Sequence, residues 1–212
     1  MTTEREPKIS LALYHLFKWS VVSPALHICF GARIYGAECV PQKGPLIVVS
    51  NHASDFDPLI VSNCVGRPVA YMAKEELFQI PVLKTAIKLY GAYPVKRGSG
   101  DRAAIRAALE SLENGWATGV FLQGTRTPDG RITDPKLGAA LIAAKTQTSL
   151  LPISVWGTEK ILPKGAKFPR LHAVTIRMGG LIPPPASGDR ADLEATTKRC
   201  ADTINALHAQ GR

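Results

Sequence analysis

Two kinds of pattern alternate along most of the chain. Apolar, β-rich runs occupy residues 46–50 (Leu-Ile-Val-Val-Ser), 69–73, 92–96, 119–123, 150–156 and 173–177, and they predict strands. Stretches of helical spacing occupy 59–65, 75–89, 101–114, 138–146 and 189–209, the last opening near the candidate caps Ser187 and Asp189. Strands and helices in turn predict an α/β fold, a mixed or largely parallel sheet flanked by helices. The run Pro183-Pro184-Pro185 is a stiff connector before the last helix rather than a domain boundary, and no internal repeat is present.

The longest apolar stretch, residues 9–31, precedes this pattern. It is long enough to cross a bilayer, which takes roughly 20 apolar residues, but Lys18 and Pro24 interrupt it, and a central lysine costs about 2.5 to 3.5 kcal/mol on insertion. At helical spacing Leu13, Phe17, Val21, Pro24 and Ile28 share one face, with Tyr14 and Trp19 placed to sit at headgroup depth. The segment is therefore expected to dip into one leaflet; the competing reading is a helix packed on the core. The chain divides on this basis into a membrane-associating segment, 1–35, and one domain, 36–212. Glu4, Arg5, Glu6 and Lys8 stand ahead of the apolar run with no small-residue cleavage site behind it, which speaks against a secretory signal.

Length and composition agree with one well-buried domain: 212 residues, 45% apolar and 20% charged. Charge adds a preference. Lysine and arginine exceed the acidic residues by nine, which favours anionic partners. From Lys160 to Gly180 five basic residues and no acidic one mingle with Ile161, Leu162, Phe168 and Leu171, a mixture that suits an anionic membrane surface and equally a solvated loop. Nucleic acid is not expected, since neither a stacking-aromatic pattern nor a zinc pattern accompanies the charge. Cys29, Cys39, Cys64 and Cys200 have no paired spacing and read as reduced, buried thiols.

The candidate chemistry begins at the end of the first strong strand, in Asn51-His52-Ala53-Ser54-Asp55-Phe56-Asp57-Pro58. α/β folds tend to place sites at strand carboxyl ends. On a regular helix His52 and Asp57 would lie about 140° apart, so contact between them requires a turn, which Asn51, Ser54 and Pro58 permit. The carboxylate would then fix one imidazole nitrogen and leave the other basic towards a hydroxyl. Taken by spacing alone, Asp57 before Pro58 reads better as a helix cap, and His52 as a satisfied loop or core histidine. Two further strand ends carry cations: Gly91-Ala92-Tyr93-Pro94-Val95-Lys96-Arg97-Gly98 and Phe121-Leu122-Gln123-Gly124-Thr125-Arg126. Arginine suits phosphate through its planar fork, and Gly98 and Gly124 let the backbone approach an anion, although each arginine taken singly is an ordinary surface charge.

These three blocks, together with Leu151-Pro152-Ile153-Ser154-Val155-Trp156-Gly157, resemble in order and content the glycerol-phosphate acyltransferase family, and 1-acyl-glycerol-3-phosphate acyltransferases in particular. The resemblance covers residues 51–157. It implies that 36–212 is a catalytic domain with His52 as general base and Asp57 as its orienting partner. It further implies that Arg97 and Arg126 are phosphate ligands, with Gln123, Gly124 and Thr125 on the substrate side and the Pro152 block in the framework. It implies acyl transfer from acyl-ACP or acyl-CoA to a lysophospholipid at the cytoplasmic face of a membrane, with no cofactor, no metal and no covalent acyl-enzyme. One position departs from the family pattern: Gln123 stands where glutamate is usual. An amide can replace a carboxylate that only hydrogen-bonds, but not one that serves as a base. Gln123 therefore keeps open another lysolipid or amphipathic alcohol as acceptor, and a lipid-binding module without turnover. A metal-dependent phosphoesterase using His52, Asp55 and Asp57 is disfavoured, because no further His/Asp cluster completes a ligand set.

Overall fold

The computed structural model describes residues 8–79, 81, 84, 87–88, 91–95, 101–161 and 170–212. Its centre is β2 (Leu46–Ser50), five residues that are all buried. An edge strand or a half-covered strand would show polar residues on one face; the first four residues of β2 show none, because strands and helices enclose it on both faces. It pairs in parallel with β5 (Ala117–Phe121), Leu46 opposite Ala117 through Ser50 opposite Phe121. On its other side it pairs in parallel with β6 (Leu150–Trp156). The sheet is completed by β1 (Arg33–Tyr35), β3 (Val69–Lys74), β4 (Tyr93–Val95) and β7 (Thr175–Met178), in the order β1-β7-β6-β2-β5-β3-β4. Among the described strand pairs only β6 with β7 is antiparallel. The sheet is thus mixed and largely parallel, with helices against it.

Alternation along β2 divides the core. Leu46 and Val48 face α3 (Asp57–Val65) and pack with Ile60, Val61, Tyr71, Leu151, Ile153 and Val155. Ile47 and Val49 face the other layer, formed by α4 (Asp101–Glu113), α5 (Gly138–Thr146) and α6 (Arg190–Ala209), and pack with Leu112, Ile142 and Ile204. Each such side chain is worth about 1.5–3 kcal/mol when fully buried. Cys64 and Cys200 belong one to each cluster, and burial pushes both thiols up to about 12. Cys29 is exposed and Cys39 only part-buried, in contrast with the buried reading.

The amino-terminal segment runs as α1 (Lys8–Phe17), one π-helical turn (Lys18–Val22) and α2 (Ser23–Phe30), and stops at Gly31 in the left-handed region. Part of it packs on the core, as the competing reading expected. Tyr14, Val22 and Leu26 are buried, with the Tyr14 hydroxyl donating to the Ser62 carbonyl at 2.8 Å, so Tyr14 is a docking residue rather than a headgroup anchor. Ile9, Leu13, Leu16, Phe17, Trp19, Val21 and Ile28 are exposed, Trp19 at 66% and Ile28 at 82%. Lys18 turns its ammonium over the rings of Tyr14 and Trp19, and partial burial lowers its pKa. No helix among the described residues is long and apolar enough to cross a membrane. The helix expected over 75–89 begins instead with a short 3-10 turn, Glu75–Gln79, and most of its remainder lies outside the described residues.

Candidate active site

Residues 51–56, between β2 and α3, form no regular helix, which removes the angular obstacle between His52 and Asp57. Asn51 opens the loop and is 1% exposed. Its amide nitrogen donates to the carbonyls of Gly130 and Val155, both at 2.8 Å, and its oxygen accepts the Val155 N–H at 2.8 Å. One side chain thereby ties the end of β2 to β6 and to the loop after β5.

Asp57 is the first residue of α3, and it does not cap that helix. Its Oδ2 accepts backwards, from the backbone N–H groups of Ala53 at 2.7 Å and Ser54 at 2.8 Å, and so closes the loop that carries the histidine. The same oxygen lies 2.9 Å from His52 Nδ1. A carboxylate can only accept here, so Nδ1 carries the proton and the basic lone pair falls on Nε2. The imidazole is part-buried, at 17% exposure, and lies flat on Phe121 with 3.8 Å between ring centroids and 12° between planes. Phe121 in turn stacks on Tyr71 at 5.0 Å.

The loop that follows β5 is fastened to this pair. Thr127 donates its backbone N–H to the His52 carbonyl at 2.8 Å, and Leu122 donates to the Ser50 carbonyl at 3.0 Å. Gly124, at φ 73°, makes the turn between them. Arg126 pairs with Asp55 at 2.6 Å; both side chains are exposed, so the pair holds the guanidinium by about 1 kcal/mol at most. Gly124 and Thr125 are open to solvent. Gln123 turns its amide back into its own loop: Oε1 accepts the Thr133 N–H at 2.8 Å, and Nε2 lies 3.4 Å from Thr133 Oγ1. From α6, His208 Nε2 meets the Asp129 carbonyl at 3.0 Å and Asn205 bonds Ile132 through both its amide atoms. Arg97, the other expected phosphate ligand, lies outside the described residues, as do Lys96 and Gly98. Asp55, the third residue of the phosphoesterase reading, is the partner of Arg126, and among the described residues no three His, Cys, Asp or Glu side chains are grouped to hold a metal ion.

The family model described as Acyltransferase matches residues 31–156. The chain belongs to the acyltransferase family. The match contains β1 through β6 and with them the His52–Asp57 loop and the loop after β5; α1, α2 and α6 lie beyond it. Among relatives, the chloroplast 1-acyl-sn-glycerol-3-phosphate acyltransferase of Arabidopsis thaliana is 31% identical, over 82% of this chain and 48% of its own length. The 1-acyl-sn-glycerol-3-phosphate acyltransferase of Borreliella burgdorferi is 31% identical, over 70% of this chain and 60% of its own. The chain thus spans about half the length of the plant relative. A crystal structure of the 1-acyl-sn-glycerophosphate (LPA) acyltransferase PlsC from Thermotoga maritima superposes with a TM-score of 0.72 at 25% identity, covering 94% of this chain and 95% of that one. The fold shared with that protein therefore extends over nearly the whole chain.

Three features of this candidate site escaped the sequence. The loop's dependence on Asn205 and His208 joins residues 73 and 79 positions apart, a separation that leaves no local pattern. The Asn51 clamp reaches 104 positions to Val155, although the abrupt polar pair Ser50-Asn51 after four buried apolar residues was a usable signal. The stack of His52, Phe121 and Tyr71 depends on sheet register.

Proposed function

We propose that this chain transfers an acyl group from an acyl-ACP or acyl-CoA thioester to the free hydroxyl of 1-acyl-glycerol-3-phosphate, giving phosphatidate. The observation that carries the proposal is the 2.9 Å hydrogen bond from His52 Nδ1 to Asp57 Oδ2, which directs the basic lone pair to Nε2. His52 takes the hydroxyl proton as the oxygen attacks the thioester carbonyl; the carbon–sulfur bond breaks, and the departing thiolate takes the proton back. Asp57 is the orienting partner. Base catalysis of this kind contributes roughly 10²- to 10⁴-fold, and positioning of the acceptor supplies much of the rest.

Arg126 and Arg97 bind the acceptor phosphate, with the open backbone at Gly124 and Thr125 beside it. The exposed Asp55–Arg126 pair is weak enough for a phosphate to displace. Gln123 serves the acceptor site by shaping the loop through Thr133, and its engaged amide favours, as a second reading, a lysolipid or amphipathic alcohol other than lysophosphatidate. No cofactor takes part.

Residues 1–35 form the membrane-associating segment and 36–212 the catalytic domain. The exposed apolar residues of α1, the π turn and α2 support a segment lying in one leaflet of an anionic membrane at the cytoplasmic face. Purified protein incubated with labelled acyl-ACP or acyl-CoA and a lysolipid panel tests the reading. Labelled phosphatidate, lost in His52→Ala with lysophosphatidate binding retained, is expected; His52→Ala activity near wild type rejects the base assignment, and no transfer to any acceptor leaves a lipid-binding module. Deletion of residues 1–31 is expected to abolish flotation with anionic liposomes.

A further inference from the structure

Behind the His52–Asp57 pair lie three buried oxygens that acyl transfer as described does not use, namely Asp57 Oδ1, Ser50 Oγ and Tyr71 Oη. None has a hydrogen-bond partner of good geometry among the described residues. Ten buried side-chain oxygens among the described residues lack a partner, each at a cost, and these three share one face of the sheet, which calls for a joint explanation.

Their positions provide it. Ser50 ends β2 on the face shared with Val48, Tyr71 packs in the same cluster, and that face carries α3, whose first residue is Asp57. The Tyr71 hydroxyl lies beside that of Ser50, and the Asp57 charge acts on it. The Tyr71 ring is fixed in place from below. It crosses β5 over Gly119, where a Cβ would come within 2.3 Å of it, and it stacks on Phe121, which stacks on His52.

We propose that Tyr71 is a positioning residue for the histidine–aspartate pair: a turn of the Ser50 side chain lets the phenol donate to Ser50 Oγ and Ser50 donate to Asp57 Oδ1, and the Tyr71 ring backs the imidazole through Phe121. Oδ2 already accepts from His52, Ala53 and Ser54. Held by that oxygen alone, the carboxylate can rock about its bond to Cβ; a donor on Oδ1 stops the rocking and keeps His52 Nδ1 aligned. Burial pushes the phenol's pKa far above the ordinary tyrosine range, so the group is a donor at every working pH. Serine is suited to the middle place because its hydroxyl accepts and donates at once.

The rate consequence rests on the acyl-transfer reading, while the hydrogen-bond consequence does not, and the experiment reads both. Proton NMR of histidine-labelled protein follows the hydrogen-bonded Nδ1 proton of His52, identified by its loss in His52→Ala. In Tyr71→Phe and in Ser50→Ala that resonance is expected to move. The kcat for acyl transfer is expected to fall about tenfold, the scale of one hydrogen bond to a charged group, with KM for donor and acceptor unchanged. The double variant is expected to be no slower than the slower single one, because both break the same chain. Thr118→Val, which removes a buried hydroxyl elsewhere on β5, is expected to change neither readout. An unmoved proton in Tyr71→Phe, a kcat within twofold of wild type, or losses that multiply in the double variant overturns the proposal. If Tyr71→Phe does not fold, Ser50→Ala carries the same two readouts. If the wild-type protein acylates no acceptor, the enzymatic reading falls and the proton resonance still decides the relay.

Discussion

Replacing Asn51 by leucine keeps the volume of the side chain and removes all of its hydrogen bonds. Three backbone groups then lose their partner inside the core: the Val155 N–H, the Val155 carbonyl and the Gly130 carbonyl. A buried group left unsatisfied costs about 1–3 kcal/mol, and some relaxation of the Gly130 loop towards solvent is available, so the loss is expected at roughly 3–6 kcal/mol. Against a total stability of about 5–15 kcal/mol this is severe. For a chain of this size each kcal/mol moves the melting temperature by about 2–4 °C, so Asn51→Leu is expected to melt roughly 6–24 °C below wild type. Thermal melting followed by circular dichroism, with urea unfolding beside it, measures the effect. Asn51→Asp is expected to do no better, since a carboxylate keeps the bond from Val155 N–H but faces two carbonyls without a proton to give. A melting temperature within about 2 °C of wild type in Asn51→Leu would refute the clamp, and with it the claim that one side chain joins β2, β6 and the loop after β5.

The remaining predictions concern separate parts of the molecule. A thiol reagent at pH 8 is expected to label Cys29 rapidly and to spare Cys64 and Cys200 until the protein unfolds; labelling of all at one rate would contradict their burial. Those two thiols have folded pKa values raised to about 12 from 9.0, so their neutral forms favour the folded state. Stability from them is complete below about pH 9 and is lost as pH rises from there towards 12, which urea titrations across that window would register. In Asp55→Asn the guanidinium of Arg126 is freed, and the KM for a phosphate-bearing acceptor is expected to fall up to about fivefold with kcat unchanged; a raised KM would place Asp55 on the side of binding. Gln123→Glu retains an acceptor for the Thr133 N–H and is expected to melt within a few degrees of wild type, whereas Gln123→Leu is expected to melt lower; the reverse order would sink the loop-shaping role.

What the sequence disclosed depended on whether a residue's role is local. The run Leu46-Ile47-Val48-Val49-Ser50 announces β2 because a strand enclosed on both faces needs no polar residue, and residues 138–146 announce α5 with the same bounds in the structure. The strand expected at 119–123 lies at Ala117–Phe121, since Leu122 stays buried after the strand has ended and extends the apolar run. Strand β1 was invisible: three residues at the sheet edge, two of them exposed, carry no pattern of their own and owe their conformation to β7. In the candidate site, the nearness of His52 and Asp57 was legible as a possibility that only a turn could realise. Spacing alone favoured a cap for Asp57, and the structure gives it a different duty, because its carboxylate reaches back to Ala53 and Ser54 instead of forward along α3. Tyr71 gave no sign at all, for its neighbours are chosen by the register of β3 on β5.

The dependence of the loop after β5 on α6 has a consequence for the order in which the molecule is made. Asp129 and Ile132 leave the ribosome more than seventy residues before His208 and Asn205, which hold them. At about 5–20 residues per second, that interval is roughly 4–15 s. During it α1 and α2, with their exposed apolar side chains, have already been synthesised, while Asp129 and Ile132 still lack the two α6 side chains that hold them. The loop after β5 would thus take its final shape only once α6 has been made.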